Sequence, residues 1–215
     1  LSVAVGGVDW WTKVNVGRDM DVVNGDVSKQ IWDAYGAARA LSSGSNVQDW
    51  NQATNLVISG QAGGQIMGDW AQGEFQVAGQ VAGEDYTCLP GLGVNKIIST
   101  GGDAFYFPLN EDPESTAAQK RMASLLVSKD VQVAFNLKKG SLPIRGDIDL
   151  AAANDCMKQG LEILASGAIL PDGNQLWSAD TSGQFEENTV EFWNDPSITP
   201  EEGHARWASI IEDAD

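Results

Sequence analysis

Asp69 and Trp70 stand side by side in the stretch MGDWAQGEF, residues 67–75, directly after Gly68. A carboxylate accepts two hydroxyl hydrogen bonds at once, and an indole covers an apolar C–H face with a large, rigid surface. A neutral polyol presents both a hydroxyl rim and a C–H face, so the pair fits recognition of a sugar. The plainer reading is structural. Gly68 lets the backbone turn sharply at a strand end, Asp69 caps the helix that follows, and Trp70 packs in the core. Composition leaves both readings open.

Asp103, in STGGDAFYF, and the pair Lys138-Lys139, in FNLKKGSLPIR, are the next candidates. Asp103 doubles as a turn residue before a predicted strand. The lysines end a predicted helix, where positive charge complements the helix dipole. Of the eight tryptophans, Trp32, Trp50, Trp193 and Trp207 fall on helical stripes and read as core. The doublet Trp10-Trp11 and the loop residue Trp177 are freer to face a cleft, which makes Trp10 a candidate ligand contact.

Other chemistries fare worse. Glycoside hydrolysis needs two carboxyl groups across a cleft. Asp69, Glu74 and Asp103 are available, but in no recognisable spacing. The glycine-rich GQAGG, residues 60–64, lacks the lysine and hydroxyl of a phosphate-binding loop. The single histidine, His204, reads as a surface residue of a terminal helix, which removes the usual triads and histidine metal sites. Cys88 and Cys156 match no zinc or redox spacing. They fit two free thiols in a cytosolic protein or one long-range bridge in an exported one.

The formal net charge of −17 repels phosphate backbones and anionic lipid, so nucleic acid is excluded as a partner. No apolar run approaches the roughly 18 residues of a membrane span.

These residues need elements to hold them. Periodicity predicts helices over 27–41, with Ser28 as cap, and over 49–59. It predicts a short strand at 65–67 and a further helix opening at Asp69. A strand near 96–99 and another at 104–107 follow. Helices are predicted over 114–127, 129–137, 149–164, 182–193 and 200–212. The polar loop 42–45 separates the first two helices. Helices with short strands between them indicate α/β layering, with too few strand residues for a complete sheet.

Taken together, IMGDWAQGEF, DYTCLPGLG, DAFYF, AFNLKKGSLPIRGDIDL and NDC resemble, in order and spacing, the C-terminal half of a bacterial extracellular solute-binding protein of sugar ABC importers. The similarity covers roughly residues 48–160 and points to the glucose and aldose binders. It implies an α/β, periplasmic-binding-protein type II-like fold in which two lobes close on a sugar. Gly68, Asp69, Trp70, Asp103 and Lys139, with Trp10 beside them, are the ligand-binding set it implies, without catalysis, metal or cofactor. It also implies a Cys88–Cys156 disulfide, a periplasmic or extracellular location and an ABC transporter permease as partner. Members of that family are much longer. The resemblance therefore implies a fragment whose missing N-terminal half is itself a partner. Residues 1–100 would belong to the C-terminal lobe, 101–143 would cross to the N-terminal lobe, and 144–215 would return as C-terminal-lobe helices.

Overall fold

The computed structural model describes residues 1–43, 47–99, 101–149 and 151–214, apart from the side chain of Asn174. The loop expected at 42–45 lies partly outside them. The chain forms two compact units. Unit 1 comprises Leu1–Ser45, Leu89–Gly101 and Ser166–Asp215; unit 2 comprises Asn46–Cys88 and Gly102–Ala165. These units divide the chain differently from the lobe segments that the resemblance implies, 1–100, 101–143 and 144–215. Residues 46–88 and 144–165 join 102–143 because side-chain, main-chain and disulfide links bind these segments to one another.

Unit 1 is built on helices α1 (Ser2–Asn15), α2 (Met20–Val23), α3 (Asp26–Ser42), α9 (Ala179–Asn194) and α10 (Pro200–Glu212). The α1 helix pairs with α3, and α10 packs against both α3 and α9. The predicted strand near 96–99 shrinks to β1 (Ile98–Ser99), which pairs in parallel with β2 (Ile169–Leu170). Both clusters of buried apolar side chains found among the described residues lie in this unit. One gathers Trp10, Trp11, Val14, Val23, Ile31, Leu170, Ala208 and Ile211. The other joins Trp32, Phe192 and Ile198. Arg39 lays its guanidinium 4.0 Å over the Phe192 ring. It also donates to the Phe192, Asp195 and Ile198 carbonyls, closing the end of α9. Thr199 and Glu202 form a reciprocal capping box that starts α10.

Three expectations in unit 1 are corrected. Ser28 does not cap α3, whose N-cap is Gly25. It lies buried inside the helix, accepting from the Trp10 indole N–H at 2.9 Å and donating to the Val22 carbonyl at 2.8 Å. His204 is buried, not on the surface, and its Nε2 meets the Val23 carbonyl at 2.8 Å. The Trp10-Trp11 doublet is core, because α1 turns both rings toward α3 and α10.

Unit 2 holds α4 (Trp50–Ile58), a 3-10 turn at Asp69–Ala71, α5 (Gln72–Val77), α6 (Pro113–Leu126), α7 (Lys129–Lys139) and α8 (Asp155–Ser166). Cys88 and Cys156 are disulfide-bonded, with Cα atoms 5.5 Å apart. Phe75 stacks on Tyr86 with ring centroids 4.2 Å apart. Arg145 grips Asp147 with two 2.7 Å hydrogen bonds and donates to the Val127 carbonyl, which ties the loop after α7 back to the end of α6. The strands expected at 65–67 and 104–107 do not form. Residues 101–110 run without helix, turn or bend and with no strand partner among the described residues. A lone strand has nothing to satisfy its ladder hydrogen bonds.

Candidate functional site

Five of the six expected ligand contacts, Gly68, Asp69, Trp70, Asp103 and Lys139, lie in unit 2. The sixth, Trp10, is withdrawn. It lies in unit 1, only 6% exposed, with its indole N–H already given to Ser28.

The site starts where the 3-10 turn at 69–71 meets the end of α7. That helix stops because Gly140 takes the left-handed conformation, φ 80°, and returns its N–H to Asn136. The start of α5 approaches this end so closely that a side chain is excluded at Gly140 and would be tight at Gly73. A β-carbon on Gly140 would lie 2.5 Å from Gln72 Cβ, and one on Gly73 would lie 3.3 Å from the Lys139 carbonyl oxygen. Gln72, buried, fastens the two together by donating from Nε2 to the Gly140 carbonyl at 2.7 Å.

Asp69 sits on this seam. It does not cap the turn: the cap position is Gly68, with no side-chain cap bond. The Asp69 carboxylate instead accepts the Leu142 N–H at 3.2 Å, across from α7. Although the residue as a whole stays open to solvent, desolvation of its carboxylate raises its pKa above the ordinary aspartate value. The Leu142 N–H and the positive charge of Lys139 pull it the other way without cancelling that effect.

Lys139 is the cation of the site. It forms an ion pair with Asp103 and stands 5.8 Å from the Phe135 ring centroid. Its charge is thus shared between two carboxylates from segments far apart in sequence. Trp70 is 44% exposed, so it is not a core residue. Its six-membered ring folds back over Gly68, where a β-carbon would overlap it. Gly68 has φ −69° and ψ 165°, extended backbone open to any residue. The glycine therefore serves the indole and not a sharp turn. The cluster offers a partly desolvated acceptor, an ammonium donor and an exposed aromatic surface, the combination a polyol needs.

Trp177, expected to be free, is engaged in unit 1. Its N–H donates to Asn15 Oδ1 at 3.1 Å, Arg18 lies 4.9 Å above its ring, and Phe185 meets it edge-on. Gln72 escaped sequence reasoning; the one trace of its role was the Lys-Lys-Gly that marks a helix end. Among the described residues no group of three histidines, cysteines or acids could hold a metal ion. No described helix is long and apolar enough to cross a membrane.

No protein-family model matches the chain. Individual proteins do. A probable sugar-binding periplasmic protein of Brucella suis is 37% identical over 157 residues, which cover 72% of this chain and 37% of that protein. One from Rhizobium meliloti is 35% identical over 161 residues, 74% of this chain and 38% of the relative. An ABC transporter extracellular-binding protein of Pyrococcus horikoshii is 29% identical over 174 residues, 77% and 36% of the two chains. The chain thus spans little more than a third of the length of the curated relatives it matches. Over those residues it is related to periplasmic sugar-binding proteins.

Proposed function

We propose that the chain is part of an exported solute-binding protein that holds a small neutral sugar and passes it to an ABC import permease. The observation that carries this is the meeting of Asp69 with the end of α7, where Lys139 acts on it and the exposed Trp70 is its chain neighbour, in a chain whose relatives are named as sugar-binding periplasmic proteins. Asp69 and Lys139 take hydroxyl groups, and the exposed indole covers a C–H face. Asp103 orients Lys139 and accepts a hydroxyl of its own. A monosaccharide of the glucose type is the ligand this reading favours.

The protein binds and does not catalyse. Asp103, the second carboxylate a glycosidase would draw on, is engaged by Lys139. The relatives are named for binding. The location follows the relatives' names, periplasmic or extracellular, where the Cys88–Cys156 bridge persists. The type II, two-lobed architecture supplies the missing half of the site: the N-terminal part of a longer polypeptide closes over the sugar held here. A micromolar sugar site amounts to about −8 kcal/mol. With only one wall of contacts, this chain alone binds more weakly.

Calorimetric titration with glucose, galactose and a disaccharide, on this chain and on the full-length protein, tests the reading. Saturable heat with at least one sugar in the full-length protein, lost in Asp69→Ala, is expected. Absence of heat with all three from both forms, or release of product from a glycoside, overturns it.

A further inference from the structure

Asp69 does not hold the end of α7 by itself. Residues three apart in a 3-10 turn lie on one side of it, and Gln72 follows Asp69 at that spacing. The two side chains meet one short piece of main chain with opposite polarity. Gln72 Nε2 donates to the Gly140 carbonyl at 2.7 Å, and the Asp69 carboxylate accepts the Leu142 N–H at 3.2 Å. A carbonyl and an N–H two residues apart are thereby satisfied from one turn, as a neighbouring strand would satisfy them.

Other groups set the far side of this piece. The Ile144 N–H donates to Gln132 Oε1 at 3.1 Å. The Leu142 side chain lies so near α8 that a β-carbon on Gly160 would come within 3.0 Å of its Cδ1. The Gln72 bond is buried, whereas the Asp69 bond is open to solvent. A hydrogen bond is stronger in the low dielectric of the interior than where water competes for it. Asp69 therefore finds the Leu142 N–H where Gln72 puts it.

The amide of Gln72 adds little to stability. Its Oε1 is buried and has no partner among the described residues. A buried acceptor left unpaired costs about as much as the bond on Nε2 returns. What Gln72 supplies is position.

We propose that Gln72 is a positioning residue of the sugar site: by holding Gly140 it sets the Leu142 N–H against Asp69 and so orients that carboxylate for the ligand. A carboxylate ordered beforehand need not be ordered by the sugar, and affinity rises by the cost so avoided. The inference rests on the reading that Asp69 binds sugar.

Two variants of the full-length protein test it. Gln72→Met keeps the volume and removes the donor. Gln72→Asn keeps the amide one methylene short of Gly140, and as the milder change it decides where the two differ. In wild type the Leu142 amide resonance should follow the ionisation of Asp69, because the two are bonded. In the variants that inflection is expected to vanish. The Asp69 carboxylate should then titrate at higher pH, since the Leu142 N–H that favours its charged form has moved away. Affinity for whichever of glucose, galactose and a disaccharide wild type binds should fall about tenfold, with the melting temperature within about 4 °C of wild type. An inflection that persists, an affinity equal to wild type, or a melting temperature lowered by more than that margin, which would make Gln72 a purely structural tie, overturns the proposal. If wild type binds none of the three sugars, the binding reading falls, and the inflection alone upholds or overturns the link from Gln72 to Asp69.

Discussion

The indole of Trp70 lies over the α-carbon of Gly68, so closely that no β-carbon fits between them. The backbone at Gly68 is extended, φ −69°, and accepts alanine without strain. Gly68→Ala is therefore expected to leave the melting temperature within about 2 °C of wild type, since no backbone conformation is lost. The indole must swing away from its seat. Loss of near-ultraviolet dichroism from Trp70, with sugar affinity of the full-length protein falling about tenfold, is the expected pair of results. Unchanged affinity would show that the indole position does not matter to the ligand.

Asp69 makes the stability of unit 2 depend on pH in a direction opposite to that of most carboxylates. Its folded pKa is raised, chiefly by desolvation. The folded state then holds the proton more tightly than the unfolded chain does. The stabilisation from protonation is complete below the ordinary aspartate pKa and is lost as pH rises through the folded value. Asp69→Asn keeps an acceptor for the Leu142 N–H and removes the ionisation. It should flatten that part of the stability–pH curve and leave the variant equal to or slightly more stable than wild type at neutral pH. Solvent on the open side of the residue keeps the difference small. Urea melts between pH 4 and 7 read it; a variant clearly less stable at neutral pH would contradict the sign.

Lys139 is coupled to that titration. Lys139→Met removes the positive charge that opposes the desolvation of Asp69. The Asp69 pKa, followed by the carbon resonance of its carboxylate, is expected to rise further. The same substitution frees Asp103, its ion-pair partner. If the Asp69 resonance titrates as in wild type, the two groups are not electrostatically linked and the site has lost its cation.

Much of this was legible before the structure. Helices over 113–126, 129–139 and 200–212 follow their apolar periodicity and their caps closely. The α1 helix was missed because Gly6 and Gly7 interrupt its pattern, and Gly7 takes φ 72°, kinking the helix where periodicity fails. Misreading Trp10 follows from that, since a ring cannot be placed on a helix face before the helix is seen. Asp69 and Trp70 were visible as a chemical pair. The main-chain partner of Asp69, the Leu142 N–H, was not, because main-chain groups carry no sequence signature. The strands expected at 65–67 and 104–107 do not form, because a residue pattern cannot supply the partner a strand needs.

The disulfide confines its effect to one unit. Both cysteines belong to unit 2, 68 residues apart in sequence. Closing a loop of that size restricts the unfolded chain by about 4 kcal/mol, against a net stability of about 5–15 kcal/mol for a typical protein. Unit 2 has few buried apolar side chains to absorb such a loss, whereas unit 1 carries Trp10, Trp32, Phe192 and their neighbours. Reduction, or Cys88→Ser with Cys156→Ser, is therefore expected to separate the two. Amides of α4, α7 and α8 should lose protection against hydrogen exchange, while those of α3 and α10 keep it. The matched control is Trp10→Ala, which removes a ring from the larger apolar cluster and should cost unit 1 about 3–5 kcal/mol with α7 unaffected. Loss of protection across both units on reduction alone would mean that unit 1 cannot stand without unit 2, and that the chain folds as a single cooperative body.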